Sequence, residues 1–192
     1  MTSRTFVAGV GMVPFTKPGV GETYEKMGAA AARLALADAG LPYDAVEQAF
    51  AGFIYGDSCS GQRALYEVGL SGIPIINVNN NCSTGSTALY LARQAIETGV
   101  ADIALALGFE QMNPGALGAT FVDRPTPGDR FEAAAEELVG ASDLPTALRL
   151  FGGAGLEHMK RFGTPLDAFA KIRAKASRHA ARNPLAVFRQ EV

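Results

Sequence analysis

Cys82 combines a reactive side chain with a position that favours chemistry. It follows three asparagines in the stretch NNNCSTGS, where a predicted buried strand turns into a predicted helix. The N-terminus of a helix carries unpaired backbone amides and a partial positive charge, which stabilise a thiolate and an oxyanion. The pattern predicts a nucleophile at Cys82, beside small residues that let a substrate approach. The alternative, a small cysteine packed as an apolar core residue, is common in proteins but fits poorly after the asparagines.

Cys59 is the other cysteine of the chain and also lies between small residues, in SCSG. It falls in a predicted loop after a strand, and a loop without a following buried helix stabilises a thiolate less well. We therefore interpret Cys59 as an incidental thiol. Two cysteines are too few for a disulfide framework, and a cytosolic environment would keep both reduced.

Other candidate sites are weaker. Gly9 and Gly11 do not fit a dinucleotide-binding fingerprint, because the chain continues into Pro14 and Pro18 rather than directly into a helix. No spacing of histidines, cysteines or carboxylates indicates a metal site. His158 and His179 lie among the basic residues of the predicted C-terminal helices, a surface that is usually solvated, and we do not expect either to take part in chemistry.

The sequence pattern of residues 1–111 predicts a compact α/β structure in which strands and helices alternate. The predicted strands are TFVAGVGMV from Thr5, AFAGFIYG from Ala49, a strand with Ile75, Ile76 and Val78, and ADIALALGFE. Helices are predicted from Tyr24 to a stop at Gly40, at 62–68 and at 84–98, the last apolar on nearly all sides and therefore buried. This order predicts a mostly parallel sheet with helices on both faces and functional residues at the carboxyl ends of the strands.

Residues 112–192 do not show this alternation of strands and helices. The stretch NPGALGATFVDRPTPGDRF has the composition of an irregular excursion, and helices are predicted at 132–139, 145–162 and 165–182. No strand follows, so the excursion has no second anchor on the sheet. We expect this chain to be part of a larger protein.

Composition excludes several classes of function. With 17 Lys+Arg against 19 Asp+Glu and a net charge of −2, the chain lacks the basic surface of a general nucleic-acid binder. Apolar residues make up 48% of the chain, but no apolar run approaches the roughly 18 residues that span a bilayer, and no signal peptide is visible. We expect no nucleic-acid partner, no membrane insertion and a cytoplasmic location.

The segment NVNNNCSTGSTALYLARQAI resembles the nucleophile segment of the thiolase superfamily, most closely that of the sterol carrier protein X thiolases. Further segments match the family in order: GVGMVPFTKPG, ALADAGLPYDAVEQAFAGFIYGDSCSGQRALY, GIPIINVNNNC, ALALGFEQM, FGGAGLEHMKRFGT and FAKIRAKASRHAARNP. The resemblance implies that Cys82 attacks a 3-oxoacyl-CoA, holds the acyl group as a thioester and passes it to coenzyme A, with the Cys82 amide at an oxyanion site. The products would be an acyl-CoA and acetyl- or propionyl-CoA, in lipid or sterol side-chain degradation. Coenzyme A is then a substrate, with no cofactor or metal.

The resemblance also implies a domain organisation. A thiolase protomer has two similar α/β halves, with a largely helical loop domain inserted in the first. Residues 1–111 would be the N-terminal half without its last strand, and 112–192 the loop domain. The C-terminal half, which supplies the base histidine and a second cysteine, would be absent, and neither His158 nor His179 matches those motifs. We therefore expect the isolated chain to be inactive.

The expected partners are an acyl-CoA substrate, a second copy paired through the strand at 73–79, and a complementary C-terminal half. In a eukaryote the family implies a peroxisomal location. Three alternatives stay open: a thiolase-like lipid-transfer protein that acts as a steroid side-chain aldolase, a non-catalytic acyl-CoA-binding module using the basic 160–182 region, and a half-subunit that only pairs. The aldolases of this family typically lack the cysteine that Cys82 provides.

Overall fold

The computed structural model describes residues 4–113 and 121–192. The chain forms two compact units, Met1–Ala116 with Leu185–Val187 and Leu117–Pro184 with Phe188–Val192. The elements of the first unit are α1 (Tyr24–Ala39), a 3₁₀ turn (Tyr43–Ala45), β1 (Gln48–Gly52), α2 (Ser60–Tyr66), β2 (Ile75–Val78), α3 (Thr84–Glu97) and β3 (Ala104–Gly108). Those of the second are α4 (Asp129–Val139), α5 (Thr146–Phe162) and α6 (Leu166–Ala181).

The first unit is built on a parallel sheet of three strands in the order β2–β1–β3, with Phe50 of β1 opposite Ile76 and Ala106. One face packs on α1 and α2 through Ala32, Ala64 and Leu65. The other face packs on α3, whose alanines Ala88, Ala92 and Ala95 form one core cluster with Phe50. The small residues let the helices lie close to the sheet. The predicted α/β class, with a parallel sheet and helices on both faces, is confirmed.

The strand predicted from Thr5 does not form. Its glycines lie against α1 instead: a Cβ built on Gly9 would collide with the Ala35 carbonyl oxygen, and one on Gly11 with that of Ala31. The Val10 amide donates to Asp38 Oδ2 at 2.8 Å, which holds the segment to the end of α1. The apolar residues gave a strand-like pattern, but a strand also needs a partner, and among the described residues this segment has none beside it.

The prediction that α3 is buried on nearly all sides is also wrong for this chain. Thr84 and the alanines of α3 are buried, whereas Leu89 is 57% and Tyr90 61% exposed. The sheet covers one side of the helix, and the side that carries Leu89 and Tyr90 stays largely exposed.

In the second unit the predicted helices are found with small shifts in their ends. Helix α5 ends at Phe162, and the next residue, Gly163, has a left-handed φ of 69°. Helix α6 begins after Pro165. Both are local signals that end or begin a helix. Most of this unit is exposed, and Ser177 is its one buried residue in the range 121–192. None of the helices in the described ranges is both long enough and apolar enough to span a membrane.

Candidate active site

Cys82 lies in the turn that joins the end of β2 at Val78 to the start of α3 at Thr84, the kind of position that the sequence predicts. The side chain is exposed, which argues against the alternative of a cysteine packed in the core. Its Sγ contacts the Oδ1 atom of Asn81 at 4.0 Å, a long distance even for a thiol. The position of the sulfur is therefore set mainly by the backbone of the turn.

Asn81, the residue before Cys82, has a positive φ of 48°. This left-handed conformation is uncommon for residues other than glycine, and asparagine is among those that adopt it most readily. The backbone then closes into the first turn of α3, because the Ser83 amide donates to the Asn80 carbonyl at 3.2 Å and the Thr84 amide to the Asn81 carbonyl at 3.1 Å. The asparagine triplet thus has a conformational role beside its polarity.

The carboxyl ends of β1 and β3 lie directly against the first turn of α3. A Cβ built on Gly52, the last residue of β1, would lie 2.8 Å from the Thr84 carbonyl oxygen. One built on Gly108, the last residue of β3, would lie 3.5 Å from the Cα of Gly85. The ends of the three strands therefore converge on the turn that carries Cys82. No motif in the sequence points to Gly52 or Gly108.

The three residues that follow β3 each hold a different element. The ring of Phe109 stacks between those of Tyr24 and Phe53, with centroids 5.5 and 5.3 Å apart. Glu110 accepts hydrogen bonds from the amides of Ile54 at 2.8 Å and Tyr55 at 3.2 Å, which fixes the loop after β1. The remaining residue, Gln111, accepts from the first amide of α1 at 2.9 Å. No local sequence signal points to Glu110, because its partners are more than fifty residues away.

A cavity of about 410 Å³ adjoins this segment at the carboxyl end of β3. Its lining includes Met12, Phe15, Met27, Phe109 and Met112, and Cys82 does not line it. The cavity is largely apolar and lies within the first unit. In the described residues, no group of three histidine, cysteine or acidic side chains is placed to hold a metal ion.

Cys59 lies immediately before α2, with a positive φ of 66°, and is exposed. The expectation that no buried helix follows it is wrong, because α2 buries Ser60, Gly61, Ala64 and Leu65. That helix is only seven residues long. Its shortness limits the charge stabilisation it can give, and the interpretation of Cys59 as an incidental thiol stays a prediction.

The two histidines belong to the second unit. His158 lies on α5, where its Nδ1 is 2.9 Å from Thr164 Oγ1 and its ring centroid is 4.8 Å from that of Phe162. His179 lies in the last turn of α6. These local contacts account for His158 as a surface residue at the end of its helix. That neither histidine takes part in chemistry stays a prediction.

The chain is similar to known proteins along nearly its whole length. The model of the family "Thiolase, N-terminal domain" matches residues 5–192. Sterol carrier protein 2 of Bos taurus is 52% identical over 193 residues, covering 100% of this chain and 36% of that protein. Non-specific lipid-transfer protein-like 2 of Caenorhabditis elegans is 42% identical over 193 residues, covering 98% of this chain and 47% of that protein. The chain thus spans between a third and a half of the length of these relatives.

Among solved structures, an Ltp2-ChsH2(DUF35) aldolase matches with a TM-score of 0.70 at 20% sequence identity, covering 96% of this chain and 46% of that chain. At this identity the likeness shows a shared fold. The family match and the identity to the sterol carrier proteins confirm the resemblance found in the sequence. The chain belongs to the thiolase family, through its N-terminal domain.

Proposed function

We propose that the complete protein carrying this chain is a thiolase-type acyltransferase with Cys82 as its nucleophile. The observation that carries this proposal is the place of Cys82: an exposed thiol at the start of α3, where three parallel strands end. Ligand sites in parallel α/β structures lie at the carboxyl ends of the strands. Membership of the thiolase family supports the same assignment.

In the proposed reaction the Cys82 thiolate attacks the C3 carbonyl carbon of a 3-oxoacyl-CoA. The backbone amide of Cys82 would help to stabilise the oxyanion. The bond between C2 and C3 then breaks, its electron pair stays on C2, and protonation of C2 gives acetyl- or propionyl-CoA. The acyl group remains on Cys82 as a thioester until the thiolate of coenzyme A takes it as an acyl-CoA. Coenzyme A is thus a substrate, and the reaction needs no metal.

The proposed function also implies a domain organisation and partners for the complete protein. Residues 1–111 would form the N-terminal α/β half and 112–192 the loop domain, and a C-terminal half would supply the base and the acid. The strand at 73–79, which contains β2, would pair with its copy in a homodimer, since β2 is an edge of the described sheet. The proposed location is cytoplasmic, or peroxisomal in a eukaryote.

The second candidate function is carbon–carbon bond cleavage by an aldolase. We consider it because this chain shares its fold with the Ltp2-ChsH2(DUF35) aldolase. A retro-aldol reaction releases a ketone or aldehyde without an acyl-enzyme. The presence of Cys82 favours the thiolase, because a nucleophilic cysteine has no role in that cleavage. A non-catalytic acyl-CoA-binding or pairing half-subunit would leave Cys82 unacylated as well.

The test is acylation of Cys82 in the complete protein. A mass-tagged 3-oxoacyl-CoA, added without free coenzyme A, is expected to leave its acyl group on the peptide that contains Cys82. Cys82→Ser must lose this label, while the matched variant Cys59→Ser must keep it. Label that persists in Cys82→Ser would contradict the assignment. Release of a ketone or aldehyde from a 3-hydroxyacyl-CoA, by a protein that the 3-oxoacyl-CoA does not label, would favour the aldolase.

A further inference from the structure

The hydroxyl of Thr87 joins the two sides of the turn that carries Cys82. It accepts a hydrogen bond from the Asn80 side-chain amide at 2.9 Å and donates one to the Ser83 carbonyl at 2.9 Å. Cys82 lies between these two partners in the chain. A single side chain on the second turn of α3 is therefore bonded to the backbone on one side of the cysteine and to a side chain on the other.

Asn80 makes further bonds to the same turn. Its backbone amide donates to Thr84 Oγ1 at 3.0 Å, and its carbonyl accepts from the Ser83 amide at 3.2 Å and the Ser83 hydroxyl at 2.8 Å. The backbone from 80 to 84 is closed on itself by these bonds, and the bond to Thr87 fixes it to the body of α3. Since the Sγ atom has only a long contact of its own, this network sets where the sulfur lies.

The hydroxyls here do not act as an ordinary helix cap. An N-cap side chain usually accepts a hydrogen bond from an amide of the first turn. Ser83 occupies the N-cap position of α3 without such a bond, and its hydroxyl donates to Asn80 instead. The Thr84 hydroxyl likewise donates to the Asn81 carbonyl. The hydroxyls of Ser83 and Thr84 thus stabilise the turn through carbonyl oxygens and do not occupy amides of the first turn.

We propose that Thr87 and Asn80 are positioning residues for Cys82, with the bond between the Asn80 amide and the Thr87 hydroxyl as the element that fixes the cysteine relative to α3. This inference rests on the proposed role of Cys82 as the nucleophile. A displacement of about 1 Å in a reacting group can cost about 10²-fold in rate. Loss of this bond is therefore expected to lower the rate of acyl transfer more than the binding of substrate.

The experiment compares two substitutions at Thr87 in the complete protein. Thr87→Val keeps the shape and removes the hydroxyl, and it is expected to lower kcat for thiolysis by about 10–100-fold with KM little changed. It should also lower the rate of Cys82 alkylation by iodoacetamide, followed as a profile over time, a readout that needs no turnover. Thr87→Ser keeps the hydroxyl and should restore most of both properties.

Thr98→Val is the matched control, because Thr98 lies at the other end of α3 and its hydroxyl also donates to a carbonyl four residues earlier, that of Gln94 at 2.8 Å. It should leave kcat and the alkylation profile unchanged. Wild-type kcat and a wild-type alkylation profile in Thr87→Val would overturn the proposal, as would an equal loss in Thr98→Val.

A second variant tests the pair of residues. It also keeps the proposal testable if the Thr87→Val protein does not fold. Asn80→Ala removes the other partner and should show the same loss of kcat, and the double variant should lose no more than either single variant. Losses that multiply in the double variant would overturn the pairing. If the wild-type protein is not acylated on Cys82, the proposed function fails, and the alkylation profiles still decide whether the two residues position the thiol.

Discussion

The last residue of β1 and the first residue of α3 are in direct backbone contact. A Cβ built on Gly52 would lie 2.8 Å from both the carbonyl oxygen and the Cγ2 atom of Thr84. Glycine has no Cβ, so β1 can end against the turn that holds Cys82 without pushing the helix away. The same two residues also connect the sheet to the network of Asn80, since the Asn80 amide donates to Thr84 Oγ1.

Gly52→Ala is expected to destabilise the protein and to displace the start of α3. The added methyl meets backbone atoms, which cannot rotate away, so overpacking should cost about 1–3 kcal/mol in free energy of unfolding. Urea denaturation of the complete protein measures this loss, and a slower alkylation of Cys82 would report the displacement.

Gly153→Ala serves as the control for that substitution. Gly153 lies inside α5, and nothing lies within 4 Å of a Cβ built on it. Alanine is favoured over glycine in a helix by up to about 1 kcal/mol, so this variant should be as stable as the wild type or more stable. Equal losses of stability in both variants would show that the contact between Gly52 and Thr84 is not the cause.

Glu110→Gln is expected to loosen the loop after β1. The carboxylate of Glu110 accepts hydrogen bonds from two backbone amides, those of Ile54 and Tyr55. A glutamine has one carbonyl oxygen, and its NH₂ group cannot accept from the second amide. A half-buried amide left without this acceptor costs about 1–3 kcal/mol. Hydrogen exchange should speed up at 54 and 55, and the free energy of unfolding should fall.

The comparison for Glu110→Gln is Glu22→Gln, which breaks an exposed ion pair with Lys26 at 3.4 Å. Exposed ion pairs contribute about 0–1 kcal/mol, so this variant should be close to the wild type in stability. A loss at Glu22 as large as that at Glu110 would contradict the assigned role of the two amides.

Local sequence signals predicted the helices well because each depends on residues close together in the chain. The start of α6 after Pro165 and the end of α5 before Gly163 are examples. The strand–helix turn at Cys82 was also predicted from its neighbours. These elements are determined by periodicity and by stop residues, which a sequence displays directly.

What the sequence could not predict depends on distant partners. The segment from Thr5 has a strand-like composition, but whether it forms a strand depends on a partner elsewhere in the chain. The burial of Leu89 depends in the same way on what covers the outer side of α3. Glu110 has no local pattern at all, and the bond between Asn80 and Thr87 joins side chains seven residues apart across the turn.

The complete protein is expected to be at least a dimer through β2. This strand is an edge of the described sheet, and Ile76 on it is 38% exposed. An uncovered apolar edge strand tends to pair with another strand. Sedimentation should show a dimer, and Ile76→Lys should weaken it, because a lysine on an edge strand disfavours pairing. Leu70→Lys, outside the strand, is the control, and a stable monomer of the wild type at micromolar concentration would contradict the prediction.

The 192-residue chain by itself is expected to have low solubility and to bind a hydrophobic dye. Leu89 and Tyr90 on α3, with Phe6 and Val7 before α1, expose large apolar side chains. Exposed apolar surface of this kind promotes association and dye binding. Fluorescence of an added naphthalene sulfonate dye measures it, and the signal should fall when a complementary C-terminal half is added. A soluble chain that binds no dye would contradict this expectation.

The isolated chain is also expected not to turn over substrate, whatever the complete protein does. General acid–base catalysis contributes roughly 10²–10⁴-fold, and acyl transfer needs a positioned base to deprotonate the nucleophile. His158, on α5, lies within hydrogen-bond distance of Thr164, and neither it nor His179 matches the motif of the family's base histidine. The assay is thiolytic cleavage of acetoacetyl-CoA and of a longer 3-oxoacyl-CoA by the purified chain, with Cys82→Ala as control. Binding of the substrate can persist without chemistry. Multiple turnovers that depend on Cys82 would refute the prediction and would identify one of the two histidines as the base, to be distinguished by His158→Gln and His179→Gln.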